Sequence, residues 1–187
     1  MVIKMKTLNV FVLLCISVCY CYAQTIVVEL PYNTEKEKII FQEVVPVEDR
    51  STEELFLIMR KWAIGAFENS EATIQYEDKE SGIISGKGVI IVKTKGMVGD
   101  VKSTVGFEFK LEAKDGRIRY TFENFIHEGR PEYPMDHGPL EEFYFNQKGL
   151  YKKNFVAILE QTKSTVENQM ESLKKAFEKS EQDDDWE

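Results

Sequence analysis

The alternation of apolar and polar residues is most regular on the two sides of the Asp115-Gly116 dipeptide. Apolar residues occupy every second position of segment 105–113 before it and of segment 118–122 after it. A period of two is that of a half-buried strand. Asp-Gly favours a tight hairpin turn, because both central residues of such a turn need positive φ. The pattern therefore predicts two antiparallel strands joined at this turn.

The register of the predicted hairpin follows from its apolar residues. Counting outward from the turn pairs Leu111 with Tyr120 on one face and Glu112 with Arg119 on the other. A shift by one residue would place apolar side chains opposite charged ones, so this register is strongly favoured. The interleaved cations and aromatics of "KDGRIRYTFENF" are therefore interpreted as a two-sided strand and not as a base-stacking surface. The same count places Phe125 on the polar face, as a candidate wall of a cleft.

Two other segments have apolar residues three or four positions apart, which is the period of a helix. The first, "STEELFLIMRKWAIGAF", opens with Ser51 and Glu54, a capping box whose side chains satisfy the first free amides. The second extends from Phe155 to Phe177. Each segment has one apolar stripe, so we expect both helices to pack on a sheet, with Trp62 anchoring the first.

Further strands are predicted for residues 38–47, around Ile74 and Tyr76, and for residues 83–93, which are rich in β-branched residues. The predicted order is β-α-β-β-β-β-α. Short turns make consecutive strands neighbours, which gives an antiparallel sheet of about five strands with helices on one face. The fold class is therefore α+β, of a helix-grip-like kind.

The glycines of "SGKG" (residues 85–88) lie inside one of these predicted strands. The spacing of a phosphate-binding loop is not met, and no helix follows the segment. Glycine within a strand marks a bulge or a close approach by another group, here expected to be a packed helix. We therefore predict a structural role for both glycines.

Residues 1–23 have the order of a secretory signal peptide: lysines, then an apolar run, then small residues before a cut after Ala23. Cys15, Cys19 and Cys21 all lie within this segment. A mature chain without cysteine has neither thiol catalysis nor cysteine-bound metals. We expect an exported protein, periplasmic or extracellular, with no membrane span after signal cleavage.

The rest of the chain divides into a leader (24–37), a single α+β domain (38–178) and an acidic disordered tail (179–187). The formal net charge of −8 has the wrong sign for a general nucleic-acid-binding protein, which must neutralise phosphates with Lys and Arg. Nucleic acid is therefore not an expected partner.

The segment "IHEGRPEYPMDHGPLEE" is dense in Pro and Gly and is predicted to be a loop, where function often resides. His127, Glu128, Asp136 and His137 in it could form a metal site or a general acid–base pair. Their spacing does not match the H-E-x-x-H helix motif, and surface histidines in a flexible loop are the simpler interpretation. No cofactor is predicted, and no catalytic residue is assigned.

Aromatic residues near this loop are the second group of candidates, since ligand pockets favour aromatic walls beside a few polar groups. The predicted ligand-binding set is Phe125, His127, Tyr133, His137 and Tyr144. Packing of these aromatics between the long helix and the hairpin is the alternative.

Taken in order, "IIFQEVVPV", "STEELFLIMRKWAIGAF", "DKESGIISGKG" and "KDGRIRYTFENF" resemble the family called domain of unknown function 4468, from Lys38 to about Phe125. The resemblance implies a TBP-like fold and an exported protein of a Gram-negative bacterium. It implies no catalytic residues, and a shared fold does not transfer DNA binding.

The leading hypothesis is a non-enzymatic exported domain that binds a small molecule or an envelope partner. Its site would be the open face of the sheet or a cleft walled by residues 126–139. The alternatives are a metal-dependent hydrolase that uses His127 and His137, and a structural or assembly protein. An enzyme is the less favoured class.

Overall fold

The computed structural model describes residues 28–67, 73–96, 99–130, 133–147, 149 and 152–180. The predicted signal peptide (1–23) lies outside these residues, as does the tail from residue 181. In chain order the strands are β1 (Tyr32–Asn33), β2 (Lys38–Ile39), β3 (Phe41–Pro46), β4 (Thr73–Asp78), β5 (Ile83–Gly96), β6 (Gly99–Lys114), β7 (Arg117–Arg130) and β8 (Tyr133–Pro139). The helices are α1 (Thr52–Phe67), α2 (Leu140–Phe145) and α3 (Lys152–Ser180).

The main sheet is antiparallel and six-stranded, in the order β3-β7-β6-β5-β4 with β8 also pairing with β7, while β1 and β2 form a separate pair. The predicted α+β class and the antiparallel meander are confirmed. The count of about five strands was one short, because the Pro- and Gly-rich segment predicted as a loop contains the end of β7 and the whole of β8. A strand at an edge tolerates such residues, since one side of its backbone pairs with no neighbour.

The predicted hairpin register is confirmed, since Leu111 pairs with Tyr120 and Glu112 with Arg119. The Nε atom of Arg119 donates a hydrogen bond of 2.7 Å to Oε2 of Glu112. This hydrogen bond lowers the pKa of the Glu112 carboxyl group. Gly116 has φ of 73°, whereas Asp115 does not have positive φ, so the two-residue turn forms without the positive φ that was expected at both central residues.

A β-bulge in β7 changes the alternation after Phe122. Glu123 pairs with Glu108 and Ile126 pairs with Gly106, so Asn124 and Phe125 together lie opposite one residue of β6. Asn124 has φ of 58°, in the left-handed region that asparagine tolerates better than most residues. The extra residue reverses the alternation, so each later residue of β7 points to the face opposite the one that a regular strand would give it.

Phe125 therefore lies in the core, and its predicted place on the polar face was wrong. Its side chain is fully buried, and its ring centroid lies 5.7 Å from that of Phe41 and 5.9 Å from that of Phe107. The sequence-based count continued the period of two through Asn124, whereas the extra residue reverses the period there.

Helices α1 and α3 cover one face of the sheet, as predicted. The buried residues there include Leu55, Met59 and Trp62 of α1 and Leu159, Val166 and Leu173 of α3. The Trp62 Nε1 atom donates a hydrogen bond of 3.1 Å to the Oγ atom of Ser172, which joins the two helices. The α1 capping box also forms, since the Ser51 backbone amide donates to Glu54 Oε2 at 2.8 Å.

The hairpin turn also contacts the start of α1. The Oδ1 atom of Asp115 accepts hydrogen bonds from the backbone amide and the hydroxyl group of Thr52, at 2.8 and 2.7 Å. The hydrogen bond from the hydroxyl group and that from the amide lower the pKa of Asp115. One residue thus serves both the turn and the helix end.

Both glycines of "SGKG" have structural roles. Gly88 pairs with Phe107, and a Cβ atom at residue 88 would overlap the Phe107 ring. The group that approaches is thus a side chain of the neighbouring strand and not a helix. Gly86 pairs with Ile74, where the β4–β5 register shifts at a second bulge.

Candidate functional site

A cleft of about 640 Å³ lies on the face of the sheet opposite α1 and α3. We call this face the open face. The lining comes from β2, from strands β5 to β8, from the turn before β2 and from the first turn of α2. Directly paired residues of neighbouring strands point to the same face, so the register orders the lining into rows across the sheet.

The central row is apolar and contains a gap. Val89 pairs with Gly106, Gly106 with Ile126, and Ile126 with Pro139. A Cβ atom at residue 106 would meet nothing closer than the Glu128 Oε1 atom at 3.6 Å and the Ile126 carbonyl oxygen at 3.9 Å. The row therefore forms a trough, with an apolar wall on each side of Gly106.

A polar ladder of Lys87, Glu108, Asn124 and Lys38 borders the trough on one side. The Lys87 Nζ atom lies 3.5 Å from Glu108 Oε1, and the Asn124 Nδ2 atom donates to Glu108 Oε2 at 2.6 Å. The Lys38 Nζ atom donates to Asn124 Oδ1 at 2.7 Å. Each member of the ladder is thus held by a neighbour, and Glu108 offsets one of the two lysine charges.

The other border of the trough contains Ile91, Thr104, Glu128 and His137. Ile91 pairs with Thr104 and Glu128 with His137, and the Thr104 hydroxyl group donates to Glu128 Oε2 at 3.2 Å. In the part of the chain that the structure describes, Glu128 takes part in no salt bridge. This carboxylate therefore carries a charge that no described cation balances.

At its end near β2, the cleft reaches a gap between strands β3 and β8, and Lys38 crosses this gap. Both β3 and β8 pair with the same edge of β7, β3 up to Phe122 and β8 from Ile126 onward. Lys38 reaches Asn124 across the gap, and the Ile39 backbone amide donates to Glu141 Oε1 at 2.7 Å. The bulge at Asn124 thus lies at this end of the cleft.

The two histidines predicted as ligands lie on opposite faces of the sheet. His137 pairs with Glu128 on the open face and is exposed, whereas His127 pairs with Gly138 and is buried, with 2% of its surface exposed. The His127 Nε2 atom lies 2.8 Å from the Ser103 Oγ atom, and the imidazole packs against the Phe143 ring. The structure therefore does not bring the two histidines together.

Among the residues that the structure describes, no group of three His, Cys, Asp or Glu side chains could hold a metal ion. The side chain of Asp136, the fourth predicted ligand, lies outside that set, as does the side chain of Tyr133. Tyr144 is not part of the cleft lining, and its ring stacks on Tyr32 and contacts Phe145 edge-on. Of the predicted binding residues, Phe125 and His137 belong to the lining.

Neither the central row nor the polar ladder was predicted from the sequence. Gly106 offered a usable signal, because it is a lone glycine in the middle of a regular alternation. The ladder offered none, since it joins residues from four strands and depends on the bulge. The lining of apolar floor and polar borders suits reversible binding, and the described lining contains neither serine nor cysteine to act as a nucleophile.

None of the described helices is long and apolar enough to cross a membrane. The chain is similar to a solved DUF4468 family protein from Bacteroides ovatus, with a TM-score of 0.62 and 17% identity over 75% of this chain and 86% of that one. It is also similar to a TBP-like protein from Parabacteroides distasonis, with a TM-score of 0.57 and 12% identity over 76% of this chain and 97% of that one. At these identities the likeness shows the fold alone.

No curated protein matches the chain. Residues 41–128, from the start of β3 to the glutamate beside the trough, match the family described as "Domain of unknown function (DUF4468) with TBP-like fold". The matched segment contains β3, α1, β4 to β6 and most of β7, which form the sheet apart from β8 and the trough apart from Pro139. Over these residues the chain matches the DUF4468 family, and its fold is TBP-like.

Proposed function

We propose that the protein is a non-enzymatic binding domain that holds a small amphipathic molecule in the open-face cleft. The trough at Gly106 is the observation that carries the proposal, because it places an apolar floor between two polar borders. A cleft of about 640 Å³ is within the size range of small-molecule sites, about 300–1,000 Å³.

Binding without catalysis is favoured by the positions of the histidines. General acid–base chemistry needs a titratable group within hydrogen-bond reach of the reacting atoms. His127 is enclosed behind the sheet, and His137 stands at the exposed rim opposite Glu128. The metal-dependent hydrolase is therefore the less supported hypothesis.

Export is part of the same proposal. The signal-like order of residues 1–23 supports a periplasmic or extracellular location. A binding domain in that location would meet small molecules or envelope components, and the size of the cleft favours small molecules.

Ligand retention by the purified mature protein (24–187) tests this function. The protein is incubated with small-molecule extract from bacterial periplasm, washed and examined by native mass spectrometry. We expect a bound small molecule, and amide chemical shifts that change at the trough. A wild-type protein that retains nothing, or shifts that lie away from the cleft, would contradict the proposal.

Two matched variants localise the site. Ile126 and Val44 are both β-branched and exposed on the open face, at 43% and 52%, but Ile126 lines the trough and Val44 lies outside the cleft on β3. We expect Ile126→Glu to abolish retention, because it introduces a charge on the apolar row. Val44→Glu should retain the ligand, and loss of binding in both variants would contradict this site.

A further inference from the structure

Gly106 lies beside the β6–β7 bulge, yet the contacts around it do not require glycine. Its φ is not positive, and an added Cβ atom would find only ordinary contacts, beginning at 3.6 Å. Gly88 by contrast lies under the Phe107 ring, and Gly82 has φ of 67°. Glycine inside a strand destabilises it by about 0.5–1 kcal/mol relative to alanine. Glycine inside a strand marks a bulge or a place where a ligand or another backbone approaches closely, and the open space at residue 106 leaves room for a ligand.

The charge beside Gly106 is negative. Lys87 and Lys38 are both engaged in the polar ladder, with Glu108 and Asn124 as their partners. Glu128 has its Oε2 atom held by the Thr104 hydroxyl group, while its Oε1 atom lies 3.6 Å from the position of a Cβ atom at residue 106. The free oxygen thus stands at the trough and has no described cation as a partner.

Glu141 is another carboxylate of the cleft lining, but one of its oxygen atoms already has a hydrogen-bond donor. The Oε1 atom of Glu141 accepts a hydrogen bond of 2.7 Å from the Ile39 amide. An anionic ligand would meet Glu128 unscreened on one border, and the lysines stand on the other border, where they already contact Asn124 and Glu108. A cationic ligand would meet a carboxylate that is already oriented, which favours a charge-assisted hydrogen bond.

On the basis of the function proposed above, we infer that the ligand is a small organic ammonium ion with a flat apolar body. The apolar body lies on the backbone of Gly106, between Val89 and Ile126. The ammonium group donates a hydrogen bond to the Oε1 atom of Glu128. Gly106 therefore determines which shapes enter the trough, and Glu128 determines which charge is accepted.

Three probes of similar shape separate charge from shape: benzylammonium, benzyl alcohol and benzoate, each titrated at millimolar concentration into ¹⁵N-labelled protein 24–187. We expect benzylammonium to bind most tightly, with amide shifts at residues 89, 106 and 126, and benzoate not to bind. Glu128→Gln should weaken the binding of benzylammonium by about tenfold and leave that of benzyl alcohol unchanged, because only the ionic part of the contact is lost.

Gly106→Val tests the trough itself. A valine fits the strand, so the fold should persist, and both benzylammonium and benzyl alcohol should lose binding. Gly65→Ala is the control, because Gly65 lies in α1 with open space around its Cβ position, and it should bind like the wild type. A thermal unfolding curve for each variant separates lost binding from lost folding.

The two proposals fail in different ways. If benzoate or benzyl alcohol binds as tightly as benzylammonium, or if benzylammonium does not bind, the inferred ligand class is wrong. The function proposed above survives that result if the wild-type protein still retains a periplasmic molecule at the trough. If Gly106→Val binds every probe like the wild type, the trough is not the site, and both proposals are contradicted.

Discussion

Asn124 and Glu108 are joined by a hydrogen bond of 2.6 Å, from the amide Nδ2 atom to the carboxylate Oε2 atom, at the point where β7 has one residue more than β6. This bulge turns Phe125 into the core and directs Ile126 and Glu128 to the open face. The candidate site therefore depends on a local backbone feature and not only on the residues that line it.

The conformation of Asn124 leads to the first prediction. Its φ of 58° costs a residue such as alanine about 1–2 kcal/mol, whereas glycine adopts it freely. We expect Asn124→Ala to lower the free energy of unfolding by about 2 kcal/mol, because strain adds to the lost hydrogen bonds. Urea denaturation measures the change.

Asn124→Gly is the matched control. It keeps the backbone conformation and removes the hydrogen bonds to Glu108 and Lys38, so it should destabilise the protein less than Asn124→Ala. If the glycine variant were the less stable of the two, backbone strain would not be the reason for asparagine at this position.

Two glycines of the sheet should respond oppositely to the same substitution. Gly88→Ala inserts a methyl group into the Phe107 ring, and we expect it to lower the free energy of unfolding by about 1–3 kcal/mol. Gly106→Ala should leave it unchanged or raise it by about 0.5 kcal/mol, because the space is open and alanine restricts the unfolded chain. Equal destabilisation by both substitutions would show that Gly106 has a structural role that the described contacts do not explain.

A pH dependence follows from Glu43, which links β3 to β7 and α3. Lys174 lies 2.8 Å from its Oε1 atom, and the buried Tyr120 donates a hydrogen bond of 2.5 Å to its Oε2 atom. The hydrogen bond from Lys174, followed by that from Tyr120, lowers the pKa of Glu43 below its ordinary value of 4.5. The folded state thus prefers the ionised carboxylate.

The stability that Glu43 contributes is therefore present above pH 4.5 and is lost as the pH falls through the lowered pKa. We expect Glu43→Gln to reduce the loss of stability below this pH, measured as urea midpoints across the acid range. Glu48→Gln, at an exposed carboxylate, controls for the removal of one charge. An unchanged pH dependence in Glu43→Gln would contradict the linkage.

The contact between the hairpin turn and α1 gives a fourth prediction. Asp115→Ala removes the acceptor of both Thr52 hydrogen bonds and should lower the melting temperature. Asp115→Asn keeps a side-chain oxygen and the Asn-Gly turn, so its effect should be smaller. A melting temperature that is equally low in both variants would point to the charge of Asp115 and not to its hydrogen bonds.

Metal removal distinguishes the binding domain from the alternative hydrolase. We expect the purified protein to contain no stoichiometric transition metal, and a chelator to leave its melting temperature unchanged. Elemental analysis and a thermal shift assay measure these quantities. Bound zinc that His137→Ala removes would favour the hydrolase, and the side chain of Asp136 would then be the first additional ligand to test.

Much of the fold could be predicted because its signals are local. The turn at Asp115-Gly116 sets the register by counting, and Ser51 with Glu54 marks the start of α1 without knowledge of the sheet. The bulge could not be predicted by the same count, although Phe122 and Phe125 stand three positions apart and break the period of two. This single extra residue separates the predicted position of Phe125 from the observed one.

The site was harder to predict than the fold, because it is built from contacts between distant segments. The β8 strand has the Pro and Gly content of a loop and is stabilised as a strand only by its pairing with β7. His127 seemed exposed because its segment was predicted to be a loop. Lys38 and Lys87 carry no local sign that they belong to one ladder across four strands.

Ligand retention by Gly106→Val, compared with the wild-type protein in native mass spectrometry, tests the central claim most directly. The account predicts that the wild-type protein emerges from periplasmic extract with a bound small molecule, and that the variant emerges empty with an unchanged melting temperature. A folded variant that retains the same molecule as the wild type would contradict a binding site in the trough.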